Sequence, residues 1–130
     1  MENVLLIEDD DDFRKLLKIV MENADYAVTE ASNGLEGCRI FQKDFHKLVI
    51  TDIFMPDKEG IETILEIRSV DPDVKIMAIS GGGQSGSIDM LSFARDLGAD
   101  AIMTKPIDLK DLMRKVAGLI GKESSKKTGW

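Results

Sequence analysis

The chain has 130 residues and a mass of 14.4 kDa, the size of one ordinary domain, and its 43% hydrophobic composition is enough to form a core. Its 24 acidic residues outnumber its 17 basic residues, and this formal net charge of -7 argues against direct binding to nucleic acid or to an anionic membrane. Cys38 is the single cysteine, so no intramolecular disulfide can form, and no apolar run approaches the roughly 20 residues that span a bilayer. We therefore expect a cytoplasmic, unsecreted protein.

Five short apolar runs alternate with longer stretches of helical periodicity. Runs such as residues 4–7 do not alternate with polar residues, which is typical of parallel strands covered on both faces. The second run is the most polar and is expected at an edge of the sheet. This pattern predicts an α/β fold in which strands and helices alternate. The predicted strands are 4–7, 26–31, 48–51, 74–79 and 101–104.

The first two helices are predicted from apolar spacing and capping residues. In the first helix, apolar residues recur every three to four positions, as on one face of an α-helix. The second helix is capped by Asn33 or Ser32, and Glu36 follows Asn33 at the capping-box position. The residues expected to face the core are Phe13, Leu16, Leu17, Val20 and Met21 in the first helix, and Leu35, Cys38 and Phe41 in the second.

The other three helices are placed by their start and stop signals. The third runs from about residue 57 to residue 69, because the residue before Pro72 disfavours helical backbone. The fourth follows residues 85–87 and ends near Gly98, a natural helix-ending glycine. The fifth begins after the cap Asp108 and continues to about residue 121.

The composition changes after residue 121. Residues 122–130 are rich in Lys, Ser and Thr, and Trp130 is their one apolar residue. We interpret 1–121 as one folded domain and 122–130 as a disordered tail or the stub of a linker to further chain.

Polar residues follow the ends of four predicted strands. Because right-handed crossovers direct the carboxyl ends of parallel strands to one edge, these residues are expected to meet there. The set comprises three carboxylates, a hydroxyl and an ammonium. Its members are Glu8 and Asp9 after the first strand, Asp52 after the third, Ser80 after the fourth and Lys105 after the fifth.

The three carboxylates require a compensating cation, because crowded negative charges repel one another. Oxygen ligands select a hard metal, and Mg²⁺ fits best because it keeps octahedral positions for water and phosphate oxygens, whereas Ca²⁺ would prefer more protein oxygens. His46 has no histidine or cysteine neighbours that would suggest zinc or iron, and it is expected to be solvent-exposed or at an edge.

An ammonium and a hydroxyl opposite a metal are typical of a site for a phosphoryl group. The sequence has no glycine-rich Walker loop ending in Gly-Lys-Ser/Thr, which argues against nucleotide hydrolysis of that kind. The phosphoryl acceptor is then a side chain or a small molecule. Asp52, at the end of the central strand, can act as a carboxylate nucleophile.

Five motifs, in this order along the chain, carry a resemblance to a known family. They are Ile7-Glu8-Asp9-Asp10, residues 51–60, Ile79-Ser80-Gly81, Gly98-Ala99-Asp100 and Lys105-Pro106. Together they resemble the receiver domain of two-component response regulators, over residues 4 to about 121. The resemblance implies a three-layer α/β fold, with a five-stranded parallel sheet in the flavodoxin-like order 2-1-3-4-5 and five helices.

The resemblance also implies roles for individual residues. Asp52 would be the phosphoacceptor, Ser80 the switch hydroxyl, and Lys105 the ammonium that binds the phosphoryl group, with a cis bond to Pro106. The implied Mg²⁺ ligands are Glu8, Asp9, Asp52 and the backbone carbonyl of Phe54.

By the same resemblance, the phosphoryl group would come from a sensor histidine kinase or a histidine phosphotransfer protein. The domain would catalyse only its own phosphorylation and dephosphorylation, and would signal to a downstream protein through the fourth helix, fifth strand and fifth helix. Two positions depart from the family pattern. Ile102 stands where the family usually carries Tyr or Phe, and residues 81–87 form an unusually glycine-rich loop where phosphorylation is expected to order the chain.

Two other classes of function compete with this interpretation. A magnesium-dependent phosphohydrolase of the haloacid-dehalogenase kind normally has a second Asp two residues after the nucleophile, but Phe54 occupies that position. The second competing class is a binding module. This would be either a receiver that recognises its partner without phosphorylation or a flavodoxin-like cofactor binder. The complete polar set argues against the first of these, and the absence of a phosphate-binding loop after the first strand argues against the second.

Overall fold

The computed structural model describes residues 1–53, 60–81, 92, 94–96 and 98–121. Within these residues, five strands form one parallel sheet in the order β2-β1-β3-β4-β5. The α/β class, the strand order and the edge position of the second strand are as predicted. The strands are β1 (Asn3–Ile7), β2 (Ala27–Ala31), β3 (His46–Asp52), β4 (Lys75–Ser80) and β5 (Ala101–Thr104).

Helices connect successive strands, because a parallel sheet requires a crossover between each strand and the next. The helices are α1 (Asp11–Asn23), α2 (Gly34–Ile40), α3 (Gly60–Val70), a helical segment α4 described at residues 92 and 94–96, and α5 (Leu109–Ile120). The predicted caps of α2 and α5 are confirmed: Asn33 accepts the Glu36 amide, and Asp108 accepts the amides of Lys110 and Asp111. None of the helices in this part of the chain is long and apolar enough to cross a membrane.

The sheet is buried on both faces, as its continuous apolar strands predict. In β1, Leu5 and Ile7 belong to one core cluster, whereas Val4 and Leu6 belong to a second cluster on the opposite face. The first cluster includes residues of α3, and the second includes residues of α1 and α5. The molecule therefore has the predicted three layers, and the carboxyl ends of the five strands lie along one edge of the sheet.

The predicted core faces of α1 and α2 are wrong in part. Leu16 and Leu35 are exposed, with 45% and 59% of their surface accessible, and Cys38 is half-buried. Gly34 and Gly37 form the buried face of α2 instead. Position 37 has no room for a β-carbon, which would lie 2.8 Å from Cγ1 of Ile7. The close approach of this short helix to β1 leaves Leu35 outside the core, whereas Cys38 packs against the core in part and Phe41 is buried in it, as predicted.

His46 is also placed differently from the prediction. It is buried rather than exposed, because β3 begins at His46, two residues earlier than the apolar run indicates. Its ring stacks on Phe41 at 5.7 Å between centroids and meets Phe45 edge-on at 4.8 Å. Nδ1 accepts the backbone N–H of Gln42 at 3.0 Å, so the histidine joins the connection after α2 to the start of the strand.

Several predictions fall on residues outside the described ranges. These are the start of the third helix near residue 57, the start of the fourth helix after residues 85–87, most of the glycine-rich loop and the segment 122–130. The described helix ends agree with the sequence signals: α3 ends at Val70, before Asp71-Pro72, and Gly98 and Gly121 have φ angles of +128° and +75°.

Candidate functional site

The carboxyl ends of β1 and β3 bring three acidic side chains together. The two strands are neighbours, and Ile7 pairs with Thr51, so the residues that follow them, Glu8 and Asp52, lie side by side. One carboxylate oxygen from each of Glu8, Asp9 and Asp52 lies within 4.8 Å of the other two. Glu8 and Asp52 are buried, whereas Asp9 is exposed. The cluster therefore opens to solvent on the side of Asp9.

Lys105 extends from the end of β5 to these carboxylates. Its Nζ lies 3.0 Å from Oδ2 of Asp52 and 3.3 Å from Oε1 of Glu8. The peptide bond from Lys105 to Pro106 is cis, as predicted, and the Lys105 amide donates to the Ser80 carbonyl at 2.8 Å. The backbone at the end of β5 is thus fixed to β4 while the side chain reaches across to β3 and β1.

Ser80 ends β4 in the same row of strand ends. It pairs with Thr104 of β5 and follows Ile79, which pairs with Asp52. The residue is fully buried, and Oγ has no hydrogen-bond partner among the described residues. A buried hydroxyl without a partner costs free energy, so an acceptor brought to this edge would be bound favourably.

The charges at this edge depend on one another. The pKa of Glu8 is raised to about 7, chiefly by burial and also by the nearby charge of Asp52, while the Asp10 amide and Lys105 oppose the shift. Burial alone would lower the pKa of Lys105, but hydrogen bonds and charge from Asp52 and Glu8 raise it overall. Lys105 is therefore positively charged, and it lies next to two buried acids.

Arg14 holds Glu8 in place from the first turn of α1, a role that the sequence did not indicate. Nη1 of Arg14 donates to the Glu8 carbonyl at 2.7 Å, and Nε donates to Glu30 of β2 at 3.1 Å. The amide of Asp10 donates to Oε2 of Glu8 at 3.1 Å. The strand end is thus fixed through both its main chain and its side chain.

The three acids that follow Asp9 stabilise the N-terminus of α1. Asp10 caps α1 by accepting the amides of Asp12 and Phe13, and Asp11 and Asp12 lie in the first turn, where negative charge is favourable.

The donor set of the cluster fits Mg²⁺. Three carboxylates supply hard oxygen ligands, and the exposed side leaves room for water and phosphate oxygens to complete an octahedron. The fourth predicted ligand, the Phe54 carbonyl, lies outside the described residues. Among the described residues, Glu8, Asp9 and Asp52 are therefore the groups that could hold the ion.

Comparison with known proteins assigns the chain to a family. The model of the "Response regulator receiver domain" family matches residues 4–117. The chain belongs to this family. It is a receiver domain of two-component response regulators, and the resemblance carried by the five sequence motifs is confirmed.

Individual relatives agree with this assignment. The "Response regulator receiver protein CpdR" of Brucella abortus is 36% identical over 121 residues, which cover 92% of this chain and 98% of CpdR. A receiver domain from Clostridium thermocellum superimposes with a TM-score of 0.87 at 27% identity, covering 95% of this chain and 98% of that one.

A third relative was solved with ligands. The response regulator TrrA of Thermotoga maritima, described as a complex with Mg²⁺-BeF, is 32% identical to this receiver domain and has a TM-score of 0.78. The alignment covers 92% of this chain and 99% of TrrA. A close structural relative of this receiver domain therefore binds a divalent cation.

Proposed function

We propose that this receiver domain accepts a phosphoryl group on Asp52. The observation that supports this most directly is the contact between Asp52 and Lys105, whose Nζ lies 3.0 Å from Oδ2 at the end of the central strand. Asp52 is 5% exposed and has two further acids beside it. Such a carboxylate is held in one orientation, next to a cation that can bind an incoming phosphoryl oxygen.

The proposed reaction is a transfer between two side chains. A carboxylate oxygen of Asp52 attacks the phosphorus of a phosphohistidine on a sensor histidine kinase or a histidine phosphotransfer protein. The P–O bond to Asp52 forms as the P–N bond breaks, and the histidine leaves with its electron pair. Lys105 moves its hydrogen bond from the carboxylate toward a phosphoryl oxygen and so neutralises part of the added charge.

Glu8, Asp9, Asp52 and the Phe54 carbonyl are the proposed ligands of Mg²⁺ in this reaction. When bound, the ion neutralises phosphoryl oxygens and aligns them with the attacking carboxylate. The chain's own contribution is to fix this ligand set: Arg14 holds the Glu8 carbonyl at 2.7 Å, and the Asp10 amide holds its carboxylate.

Dephosphorylation is proposed to follow the same in-line path, with water as the attacking group and the Asp52 carboxylate as the leaving group. A water oxygen attacks the phosphorus, the P–O bond to Asp52 breaks with its electron pair going to the carboxylate, and inorganic phosphate is released while the protons of the water pass to the phosphate and to solvent. The domain thus acts on itself alone and has no external substrate besides the phosphoryl donor.

Ser80 is the proposed switch. Its buried hydroxyl has no hydrogen-bond partner among the described residues, so a phosphoryl oxygen on Asp52 would supply the missing acceptor. Movement of Ser80 is proposed to draw in the loop after β4 and to alter the face formed by α4, β5 and α5, which contacts a downstream protein. Ile102 lies half-buried in β5, so this face would respond without a swinging aromatic ring.

We further propose that residues 1–121 form the receiver domain, with 122–130 as a tail or linker, and that it works in the cytoplasm, where histidine kinases act.

The proposal that Asp52 accepts the phosphoryl group is tested by incubating wild type and Asp52→Asn with acetyl phosphate, with Mg²⁺ or with EDTA. We expect labelling of the wild type with Mg²⁺ alone. Asp12→Asn is the matched control, since it removes one exposed carboxylate of α1 and should be labelled like the wild type. Labelling of Asp52→Asn, or labelling that persists in EDTA, would contradict the proposal.

A further inference from the structure

Lys105 has an aromatic neighbour in addition to its two acids. Its Nζ lies 4.6 Å from the centre of the Phe13 ring, on the first turn of α1. A cation within about 6 Å of a ring face is attracted by the electric quadrupole of the uncharged ring, whose face is the negative side. Nζ therefore has three partners from different parts of the fold: Asp52 at the end of β3, Glu8 directly after β1, and Phe13 in α1.

The Phe13 ring is itself held in place. Its amide donates to Oδ1 of the cap Asp10 at 3.1 Å, and its side chain packs half-buried against the core cluster on that face of the sheet. The next residue, Arg14, ties the same helical turn to β1 and β2 through Glu8 and Glu30. The fixed backbone of Phe13 and the packing of its side chain place the ring face beside the ammonium of Lys105.

We propose that Phe13 is a positioning residue that holds the Lys105 ammonium in place for phosphoryl transfer. This inference rests on the proposed function of Asp52 and adds to it a residue outside the polar set. The reason is that the two acids that hold Lys105, Asp52 and Glu8, become less available to it during the reaction. When a cation and a phosphoryl group bind, they compete for the carboxylate oxygens that hold Lys105, whereas the ring carries no charge that they can neutralise.

Phe13 thus keeps Nζ of Lys105 at the edge of the sheet while the hydrogen bond that Nζ donates passes from Asp52 to a phosphoryl oxygen. Without the ring face, the long lysine side chain gains alternative rotamers in the loaded state. Replacement of Phe13 by an aliphatic residue of similar size should then slow phosphoryl transfer by about fivefold, the rate equivalent of an ordinary cation–π contact.

The experiment compares Phe13→Leu with Phe13→Tyr in the full chain. Leucine retains apolar packing but has no π-system, whereas tyrosine retains the ring face. We expect acetyl phosphate with Mg²⁺ to label Phe13→Leu about fivefold more slowly than the wild type, and Phe13→Tyr to restore the rate to within about twofold. Phe45→Leu is the matched control, because it removes an exposed aromatic ring at the start of β3, and its rate should be that of the wild type.

A second readout does not depend on labelling. In the wild type and in Phe13→Tyr, the ring current should shift the ε-methylene protons of Lys105 upfield in NMR spectra, and the shift should disappear in Phe13→Leu. Equal labelling rates in the Leu and Tyr variants, or an unshifted Lys105 in the wild type, would overturn the inference. Failure of the proposed function looks different, because the wild type itself would then remain unlabelled at Asp52.

Discussion

Gly60 lies directly against the backbone of Asp52. A β-carbon at position 60 would overlap the Asp52 carbonyl oxygen and would lie 2.5 Å from the α-carbon of Ile53. The Gly60 amide also donates to the Ile53 carbonyl at 2.8 Å. The start of α3 is therefore seated on the strand end that carries the proposed phosphoacceptor, and this contact leaves no space for a side chain.

Gly60→Ala is expected to destabilise the fold, because the added methyl group must displace main-chain atoms on both sides. Overpacking of this kind costs about 1–3 kcal/mol in free energy of unfolding. Urea denaturation measures the change. Gly118→Ala is the matched control: apart from the neighbouring backbone of α5, no atom of the described residues lies within 4 Å of the added β-carbon, so alanine should stabilise α5 by about 0.5–1 kcal/mol. Equal effects of the two substitutions would contradict the close approach at Gly60.

Ser80→Ala should leave the unphosphorylated protein as stable as the wild type, or up to about 1 kcal/mol more stable, because it removes a buried hydroxyl without a partner among the described residues. The variant should still be labelled by acetyl phosphate but should lose the amide chemical-shift changes that labelling causes in β5. Thr51→Val provides the comparison. The Thr51 hydroxyl donates to the Asp52 carbonyl at 3.0 Å, so its loss should cost about 0.5–1.5 kcal/mol. A clear loss of stability in Ser80→Ala would argue that Oγ already has a partner.

Asp9→Asn should weaken Mg²⁺ binding by roughly tenfold or more, since it replaces one of the three charged ligands proposed for the ion. Its effect on the free energy of unfolding should be small, because Asp9 is exposed. Calorimetric titration with MgCl₂ measures the affinity, and Asp12→Asn controls for the loss of one negative charge. Unchanged affinity in Asp9→Asn would remove this residue from the proposed ligand set.

His46 should make the stability depend on pH. Burial lowers its pKa below the ordinary value of 6.5, with the Gln42 amide as a hydrogen-bond donor to Nδ1. As the pH falls through about 6.5, the unfolded chain binds a proton that the folded chain does not bind, so the free energy of unfolding decreases. Above this pH, both states are neutral and the histidine contributes no pH dependence.

His46→Asn tests this behaviour. Between pH 7.5 and pH 5.5, the wild type should lose about 1 kcal/mol more free energy of unfolding than the variant does. The other titrating groups, including Glu8, are common to both proteins and cancel in the comparison. Equal pH dependence of the two proteins would mean that His46 is protonated alike in the folded and unfolded states.

The alternating α/β pattern and the meeting of the polar side chains could be predicted because both follow from local signals, whereas the strand order 2-1-3-4-5 was implied by the resemblance to receiver domains. Continuous apolar runs indicate buried parallel strands, and the carboxyl ends of such strands share one edge. The residues that follow those runs, such as Glu8, Asp52 and Lys105, are therefore brought together by topology alone. Caps such as Asn33 and Asp108 are local in the same sense, since the helix they begin contains their hydrogen-bond donors.

The features that were not predicted depend on the distance between elements. Leu35 is exposed because α2 approaches β1 through Gly37, and helical periodicity does not reveal how closely a helix packs. His46 is buried by the rings of Phe41 and Phe45, which both precede it in the chain, although Asp44 and Lys47 nearby are exposed. The contact of Phe13 with Lys105 joins opposite ends of the sequence, and Phe13 appeared there as an ordinary core residue of the first helix.

The most direct test of the account is to identify the residue that carries the phosphoryl group. Wild-type protein is labelled with acetyl phosphate and Mg²⁺, the acyl phosphate is reduced with borohydride, and the modified residue is located by tandem mass spectrometry of peptides. The account predicts one modified position, Asp52, and none after labelling in EDTA. Modification of Glu8, of Asp9 or of a residue away from the carboxyl ends of the strands would contradict it.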